Sequence, residues 1–402
     1  MKTDYTEAIG LLVNEINTVG TEQVSLDEMY GRILAENITA KENVPSFSRS
    51  PYDGYAFRSQ DTAGVSVSNP VTLKVIDNIK AGDVSDKKVE PGTAVRLMTG
   101  AALPEGADAI CKYEDTEFDD ESVTLTSEFR PFENVIQPGE DIKEGTVIRG
   151  KGCVIDAGCL GTFSSQGITS VQVYKRPVAG IITTGDEVVD AEKQAPFGKI
   201  RNSNRYIIQS SLNKIGFDTV FIGHAGDDRE ETVSLIEKGF ENADVIISTG
   251  GVSVGDYDLV PDAMETAGFK MLCRGVGIKP GMACAYGVKE GKLMLALSGN
   301  PSSSLTNLEC ICFPALRKLS GMVEFEHKTF GIKLASEWKK PSKGDRFLRG
   351  RIEIKDGEVY FIFSKEQGNV VISSAIDCNV YGLIPSGSGP FSYGDIIDGF
   401  LV

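Results

Sequence analysis

Val178-Ala179-Gly180-Ile181-Ile182-Thr183-Thr184-Gly185-Asp186-Glu187 decides the fold: five apolar residues that read as a strand break into a polar, glycine-bearing loop. A helix is expected next, around Tyr206 to Ile215, stopped by Gly216. The same unit then repeats. Thr219-Val220-Phe221-Ile222 is a strand, and a helix runs from Glu230 to Phe240. Val245-Ile246-Ile247 is a third strand, with a helix around Leu259 to Thr266. Leu293-Met294-Leu295-Ala296-Leu297 is a fourth, and a long helix starts at Pro301, a good first-turn residue. Strand, loop and helix in alternation predict a mostly parallel sheet covered by helices on both faces.

Outward from this region the pattern changes. Near the start, Ile9, Leu12, Val13 and Ile16 share one helical face over residues 3 to 17, and Ser25-x-x-Glu28 is a capping box. Residues 64 to 150 alternate with period two, as in Val71-Thr72-Leu73-Lys74-Val75-Ile76 and Ser122-Val123-Thr124-Leu125-Thr126, between Gly, Pro and Asp clusters. In the tail, Arg351-Ile352-Glu353-Ile354 and Val359-Tyr360-Phe361-Ile362 flank Asp356-Gly357, a hairpin turn signal. The expected fold class is multidomain α/β plus β: a central mostly parallel α/β domain, an inserted β lobe and a small C-terminal β-barrel. The expected partition is a helical linker over 1–45, the β lobe over 46–150, an extended connector over 151–174, the α/β domain over 175–325 and the barrel over 326–402.

Composition narrows the function. A chain of 402 residues is too long for one compact core. The formal net charge of −16 argues against nucleic acid or an anionic membrane as a general partner, though not against a small anionic substrate. Eight scattered cysteines, most in apolar segments, and a start with no apolar core of a signal peptide point to a reduced, cytoplasmic setting. Only Cys310-x-Cys312 approaches metal spacing, and there are two histidines, His224 and His327. No P-loop pattern occurs, and no strand leads into a dinucleotide-binding glycine fingerprint.

Chemistry is expected in the loops that follow the strands, since ligands of open parallel sheets bind beyond the carboxyl ends. Those loops are Thr183-Thr184-Gly185-Asp186-Glu187, Ala225-Gly226-Asp227-Asp228, Thr249-Gly250-Gly251-Val252-Ser253-Val254-Gly255-Asp256-Tyr257-Asp258 and Ser298-Gly299-Asn300-Pro301-Ser302. Glycines admit a phosphate to the backbone, and helix N-termini point N–H groups at it. Carboxylates beside phosphate require a hard cation between them, and Mg²⁺ is the usual one. The loops alone suggest a phosphorylated or nucleotide-like ligand with Mg²⁺. Tight turns and helix caps are the competing structural reading of the same residues.

Val44-Pro45-Ser46-Phe47 through Tyr52-Asp53-Gly54-Tyr55-Ala56 resembles a signature segment of the molybdopterin molybdotransferases, a family that includes the E domain of gephyrin. Further segments match in order. They are Arg96-Leu97-Met98-Thr99-Gly100-Ala101, Pro104 to Ala109, Gly139-Glu140-Asp141-Ile142, Thr184 to Glu187, Ser203-Asn204, Gly250 to Gly255 with Asp258, Lys279-Pro280-Gly281 and Gly299-Asn300-Pro301. The resemblance covers the chain from residue 6 to its end. It implies an elongated homodimer that inserts molybdate into adenylylated molybdopterin and releases AMP in the presence of Mg²⁺. The site would lie between the α/β domain of one subunit and the inserted lobe of the other. Asp53, Thr99, Asp141, Glu187, Asp228, Asp258 and Lys279 carry over as catalytic, with Asp53, Glu187, Asp228 and Asp258 towards the metal. Gly250, Gly251 and Ser253 form the implied pterin-phosphate cradle, with Ser203, Asn204, Asn300, Pro301 and Ser302 beside it. A molybdopterin adenylyltransferase is the implied upstream partner. Arg346 and Arg349 are further candidates.

Departures from the family pattern cluster. Lys279-Pro280-Gly281 continues into Met282-Ala283 where the resemblance expects a second lysine. Ser298, Asn202 and Asn369 also differ from the expected residues. A missing cation at Met282 implies weak molybdate binding unless Arg274, Arg346 or Arg349 substitutes. Two readings stay open: a working molybdotransferase, and a non-catalytic dimeric relative that binds the pterin or acts as a scaffold.

Overall fold

The computed structural model describes residues 2–252, 259–364 and 366–402. The chain divides into two compact units. One holds Met1–Glu36, Lys151–Asp156 and Ser170–Val402, and the other Asn37–Gly150 with Ala157–Thr169.

The first unit is built on a six-stranded sheet in the order Asp218–Ala225, Val178–Thr184, Val245–Thr249, Lys292–Leu297, Cys284–Lys289, Lys270–Arg274. The first four run parallel, as their alternation with helices requires. Both faces of these strands are apolar. Ala179, Ile181, Val245, Ile247, Leu293 and Leu295 pack on one side with Leu12, Ile208, Leu212 and Leu316. Ile182, Ile246, Met294 and Ala296 pack on the other with Ile236, Val260 and Met264. Helices therefore cover the sheet on both sides, as expected. The last two strands are antiparallel additions beyond the four that the strand–helix alternation predicts.

The first helix, Tyr5–Asn14, is shorter than expected and is capped by Asp4, which accepts from Thr6 N–H at 2.8 Å. Ser25 and Glu28 form their box, with Glu28 accepting from Ser25 N–H at 3.2 Å and from its hydroxyl at 2.6 Å. The helix from Pro301 passes through a π-helical turn at Leu308–Cys312 before Phe313–Leu319. The wider turn falls just before Pro314, which has no N–H to donate.

The tail closes a barrel. Asp345–Lys355 pairs with Glu358–Phe363, then Phe330–Leu334, Ile396–Leu401 and Val380–Ile384 follow, and the last returns to Asp345–Lys355. Asp356 and Gly357 both take positive φ, 53° and 79°, as a tight right-twisted hairpin requires.

The second unit is a six-stranded sheet in the order Ala109–Lys112, Gly54–Phe57, Thr93–Leu97, Val71–Ile79, Ser122–Leu125, Glu117–Phe118. The segment 151–174, expected to be extended, instead contains the helix Ala157–Ser165 and the strand Ser170–Tyr174. Cys159 and Phe163 are its buried residues, four apart, but Gly158 and Gly161 dilute the apolar spacing that would have shown it.

Candidate active site

The parallel strands end at Thr184, Ala225, Thr249 and Leu297, all on one edge. A cleft there is lined by Thr183, Thr184, Glu187, Asn202, Ser203, Asn204, Thr249, Gly299 and Pro301. Gly250 takes φ 97°, and a Cβ on it would stand 2.5 Å from Thr184 Oγ1 and 2.6 Å from Thr184 O. A Cβ on Gly299 would reach Gly250 Cα at 3.5 Å. The loops after the first, third and last parallel strands thus pack backbone to backbone. Only glycine allows that approach at Gly250.

Two helices begin at this cleft, Asn204–Lys214 behind Ser203 and the one from Pro301 behind Asn300. Among the described residues neither Ser203 nor Asn300 makes a side-chain capping bond, and at the first helix the neighbouring Asn202 caps instead. Asn204 Nδ2 donates to Gly299 O at 2.8 Å and ties the two starts together. Its Oδ1 is buried and has no partner among the described residues. Underneath, Asn202 Nδ2 donates to Thr183 Oγ1 at 3.0 Å, and Thr183 Oγ1 lies 3.0 Å from His224 Nδ1. Asn202 Oδ1 accepts from Arg205 N–H at 3.1 Å. This network of Thr183, Asn202 and His224 was not among the expected site residues. Its only signal was that polar side chains end an apolar strand.

The expected carboxylates divide. Glu187 is exposed at the strand-end edge, folded over Gly185, whose φ is 118°. Asp228 is the cap of the helix Arg229–Asn242, accepting from Glu231 N–H at 2.8 Å. Asp186 Oδ1 accepts from Asp227 N–H at 3.1 Å. Asp258 and Ser253 lie outside the described residues. Ser302 is fully buried, and its hydroxyl has no partner among the described residues.

Cations come from the other side. Lys279 is exposed on the short strand Ile278–Lys279, which pairs in parallel with the barrel strand so that Lys279 is the register partner of Arg346. Asn307 Nδ2 donates to Gly281 O at 2.8 Å and fixes this loop to the helix from Pro301. Arg349 is 1% exposed. Its Nη1 donates to Thr306 Oγ1 at 3.0 Å and its Nη2 to Ser374 Oγ at 2.8 Å, while Nε has no partner among the described residues. Among the described residues no carboxylate lies within ion-pair distance of it. Glu309, the acid whose field it feels, is pushed above the usual carboxylate range by burial and receives the Tyr381 hydroxyl at 2.9 Å. A buried positive charge without a counterion is costly.

In the second unit, Asp53 precedes the strand Gly54–Phe57, which is hydrogen-bonded on both sides. A Cβ on Gly54 would stand 2.1 Å from Cys111 O, so the Asp53-Gly54 pair tolerates no larger second residue. Thr99 donates to Asp53 twice, from N–H at 2.7 Å and from Oγ1 at 2.8 Å, and these bonds hold the carboxyl below its usual range. Asp141 is exposed in a turn, its N–H donating to Val44 O at 3.0 Å.

Comparison with known proteins agrees with this architecture. Residues 3–167 match the MoeA N-terminal region (domain I and II), residues 180–318 a probable molybdopterin binding domain, and residues 332–401 the MoeA C-terminal region (domain IV). A molybdopterin molybdenumtransferase of Staphylococcus aureus (strain Mu50) is 35% identical over 394 residues, 98% of this chain and 94% of the relative. One of Staphylococcus epidermidis is 34% identical over 398 residues, again 98% and 94%. The crystal structure of the molybdopterin biosynthesis moeA protein from Pyrococcus horikoshii OT3 superposes with a TM-score of 0.86 at 28% identity, covering all of both chains. The chain belongs to the molybdopterin molybdenumtransferase (MoeA) family, whose members are transferases of molybdenum-cofactor biosynthesis. No helix among the described residues is long and apolar enough to cross a membrane.

Proposed function

We propose that this chain is a working molybdotransferase, which inserts molybdate into adenylylated molybdopterin and releases AMP. The observation that carries this reading is Arg349. Its buried guanidinium, with no carboxylate in ion-pair distance among the described residues, lies against Thr306, less than two turns from the start of the helix at the glycine cradle. An oxyanion there would supply the missing negative charge and a partner for Nε, and Ser302 adds a free buried hydroxyl on the same helix. The helix start at Asn300, which among the described residues has no side-chain cap, suits the substrate phosphate together with Gly250 and Gly251.

Mg²⁺ takes one or two carboxylates and completes its shell with water and substrate phosphate oxygens, and when bound it would neutralise that phosphate. Glu187 fits this demand, being exposed at the cradle edge. Asp228 fits it less well, because one of its oxygens serves the helix cap. Asp53 is the metal-side acid of the inserted lobe, and we assign it, with Thr99 and Asp141, to the site of the partner subunit in a homodimer. An adenylyltransferase that makes the substrate is the natural upstream partner, and the cytoplasm the natural setting.

Met282 favours the second reading, a non-catalytic relative, because it brings no charge to the Lys279 loop. One assay separates the two: AMP release from adenylylated molybdopterin, with and without molybdate. Molybdate-stimulated release is expected. A chain that binds the substrate and never releases AMP would be the scaffold.

A further inference from the structure

The ammonium of Lys2 rests on the thioether of Met282, 280 residues away along the chain. Main-chain bonds put it there. Thr3 N–H donates to Gly275 O at 3.2 Å, Gly277 N–H donates to Thr3 O at 2.8 Å, and Thr3 pairs in parallel with Val276. Residue 2 is thereby laid beside Gly275. Met282 closes the same loop from its other arm, accepting from Val276 N–H at 3.1 Å, while Gly275 N–H donates to Cys284 O at 2.8 Å. Lys279 sits between the two arms.

The charges around this loop are unevenly committed. Arg274 is held by Asp262 and Glu265, at 3.7 and 3.0 Å. Arg346 stands over the Trp338 ring at 5.5 Å. Asp4 is engaged with Thr6, and Asp345 accepts from Ser386 N–H at 2.8 Å. Among the described residues, neither Lys2 nor Lys279 has a carboxylate within ion-pair distance. A thioether is only a weak acceptor and leaves an ammonium free for a better one. The chain carries 57 acidic residues against 41 basic ones, so free cations gathered at one loop are not what composition alone would produce.

The geometry points to Lys2 as a substrate-binding residue: it brings to the Lys279 loop the positive charge that Met282 does not, and acts with Lys279 and Arg346 on an anionic substrate. This rests on the molybdotransferase reading, whose substrates are anionic. It also makes the N-terminal segment part of the binding edge and not merely a lead-in to the first helix.

Calorimetric titration of molybdate into the full-length protein tests it, using the natural chain, Lys2→Gln, Lys2→Arg, and Lys2→Gln combined with Met282→Lys. Loss of one charged contact should weaken binding roughly tenfold in Lys2→Gln. The melting temperature should stay unchanged, and affinity should depend less steeply on salt. Lys2→Arg should keep most of the affinity, and Met282→Lys should restore it in the Lys2→Gln background while adding little to the natural chain. Equal affinity of Lys2→Gln and the natural chain overturns the proposal, as does a natural chain that binds no molybdate. AMP release by the natural chain keeps the two ideas apart. If release proceeds and Lys2→Gln leaves both release and affinity unaltered, Lys2 alone is wrong. If AMP is never released, the functional reading fails with it.

Discussion

Thr99 holds Asp53 by a single oxygen: its N–H and its hydroxyl both donate to Oδ1, and among the described residues no hydrogen bond ends on Oδ2. The carboxylate is oriented and kept ionised while one oxygen stays available, which is what a metal- or phosphate-side acid needs. Thr99→Val should raise the Asp53 pKa towards the ordinary aspartate range, read by carboxyl carbon NMR titration. Because the folded value lies below the unfolded one, the stabilisation from these bonds is present above the unfolded pKa and is lost as pH falls through the folded one. Thr99→Val, which keeps the N–H bond, should weaken that acid-limb dependence without removing it. An unchanged Asp53 titration would mean that the Thr99 hydroxyl does not help to set it.

If the site is shared between subunits, inactive variants in different units should rescue one another. Asp53→Ala and Glu187→Ala, unfolded and refolded together, should regain roughly a quarter of natural AMP release, since half the dimers are mixed and each carries one intact site. Mixed dimers without activity would place Asp53 in the site of its own subunit.

Arg349 gives opposite signs for stability and binding. A buried charge with no carboxylate in ion-pair distance among the described residues recovers little of its desolvation cost, so Arg349→Met should leave the unliganded melting temperature unchanged or raise it. Molybdate affinity should fall roughly ten- to a hundredfold. A large drop in melting temperature with unchanged affinity would make Arg349 a structural residue of the barrel.

Gly250 and Gly198 separate backbone conformation from close approach. Both take positive φ, 97° and 84°, but nothing lies within 4 Å of a Cβ on Gly198. Gly198→Ala should cost about 1 kcal/mol, and Gly250→Ala about 2–4 kcal/mol, because it also collides with Thr184. Urea unfolding of the two variants compares them directly. Equal losses would show that the loops can part.

His327 is held neutral by burial and by Arg317, its pKa lowered to about 4, with Nδ1 buried and unpartnered. The unfolded chain takes up this proton first, so stability should fall as pH drops from about 6.5 towards 4. His327→Gln should flatten that limb of the urea midpoint against pH. A limb that persists belongs to other groups.

The parallel core was legible because its strands are built around short apolar runs followed by polar, glycine-bearing loops, as in Val178–Thr184 and Lys292–Leu297. Lys270–Arg274 was not, because both its end residues are exposed and charged and only Cys273 is fully buried. Thr21–Ser25 was missed for the same reason, burying only Val24. At the site, the order of the motifs brought out the glycines, Asn204 and Lys279. Sequence order could not show that Asp228 caps a helix, since a capping aspartate and a metal-binding one look alike before the chain is folded. Nor could it bring Lys2 to Met282, which depends on a single pairing at Thr3.

The barrel is not a detachable module. Arg349 and Tyr381 on its strands hold Thr306 and Glu309 on the helix that starts at the cradle, and that helix is buried along nearly its whole length. Cutting the chain before Phe330 would strip Glu309 of its hydroxyl donor and uncover the apolar cluster that Phe347, Tyr381 and Phe400 now close. The strand-end cleft and the tail should therefore melt in one cooperative step, and amide protons near Thr306 should exchange only when the whole first unit opens.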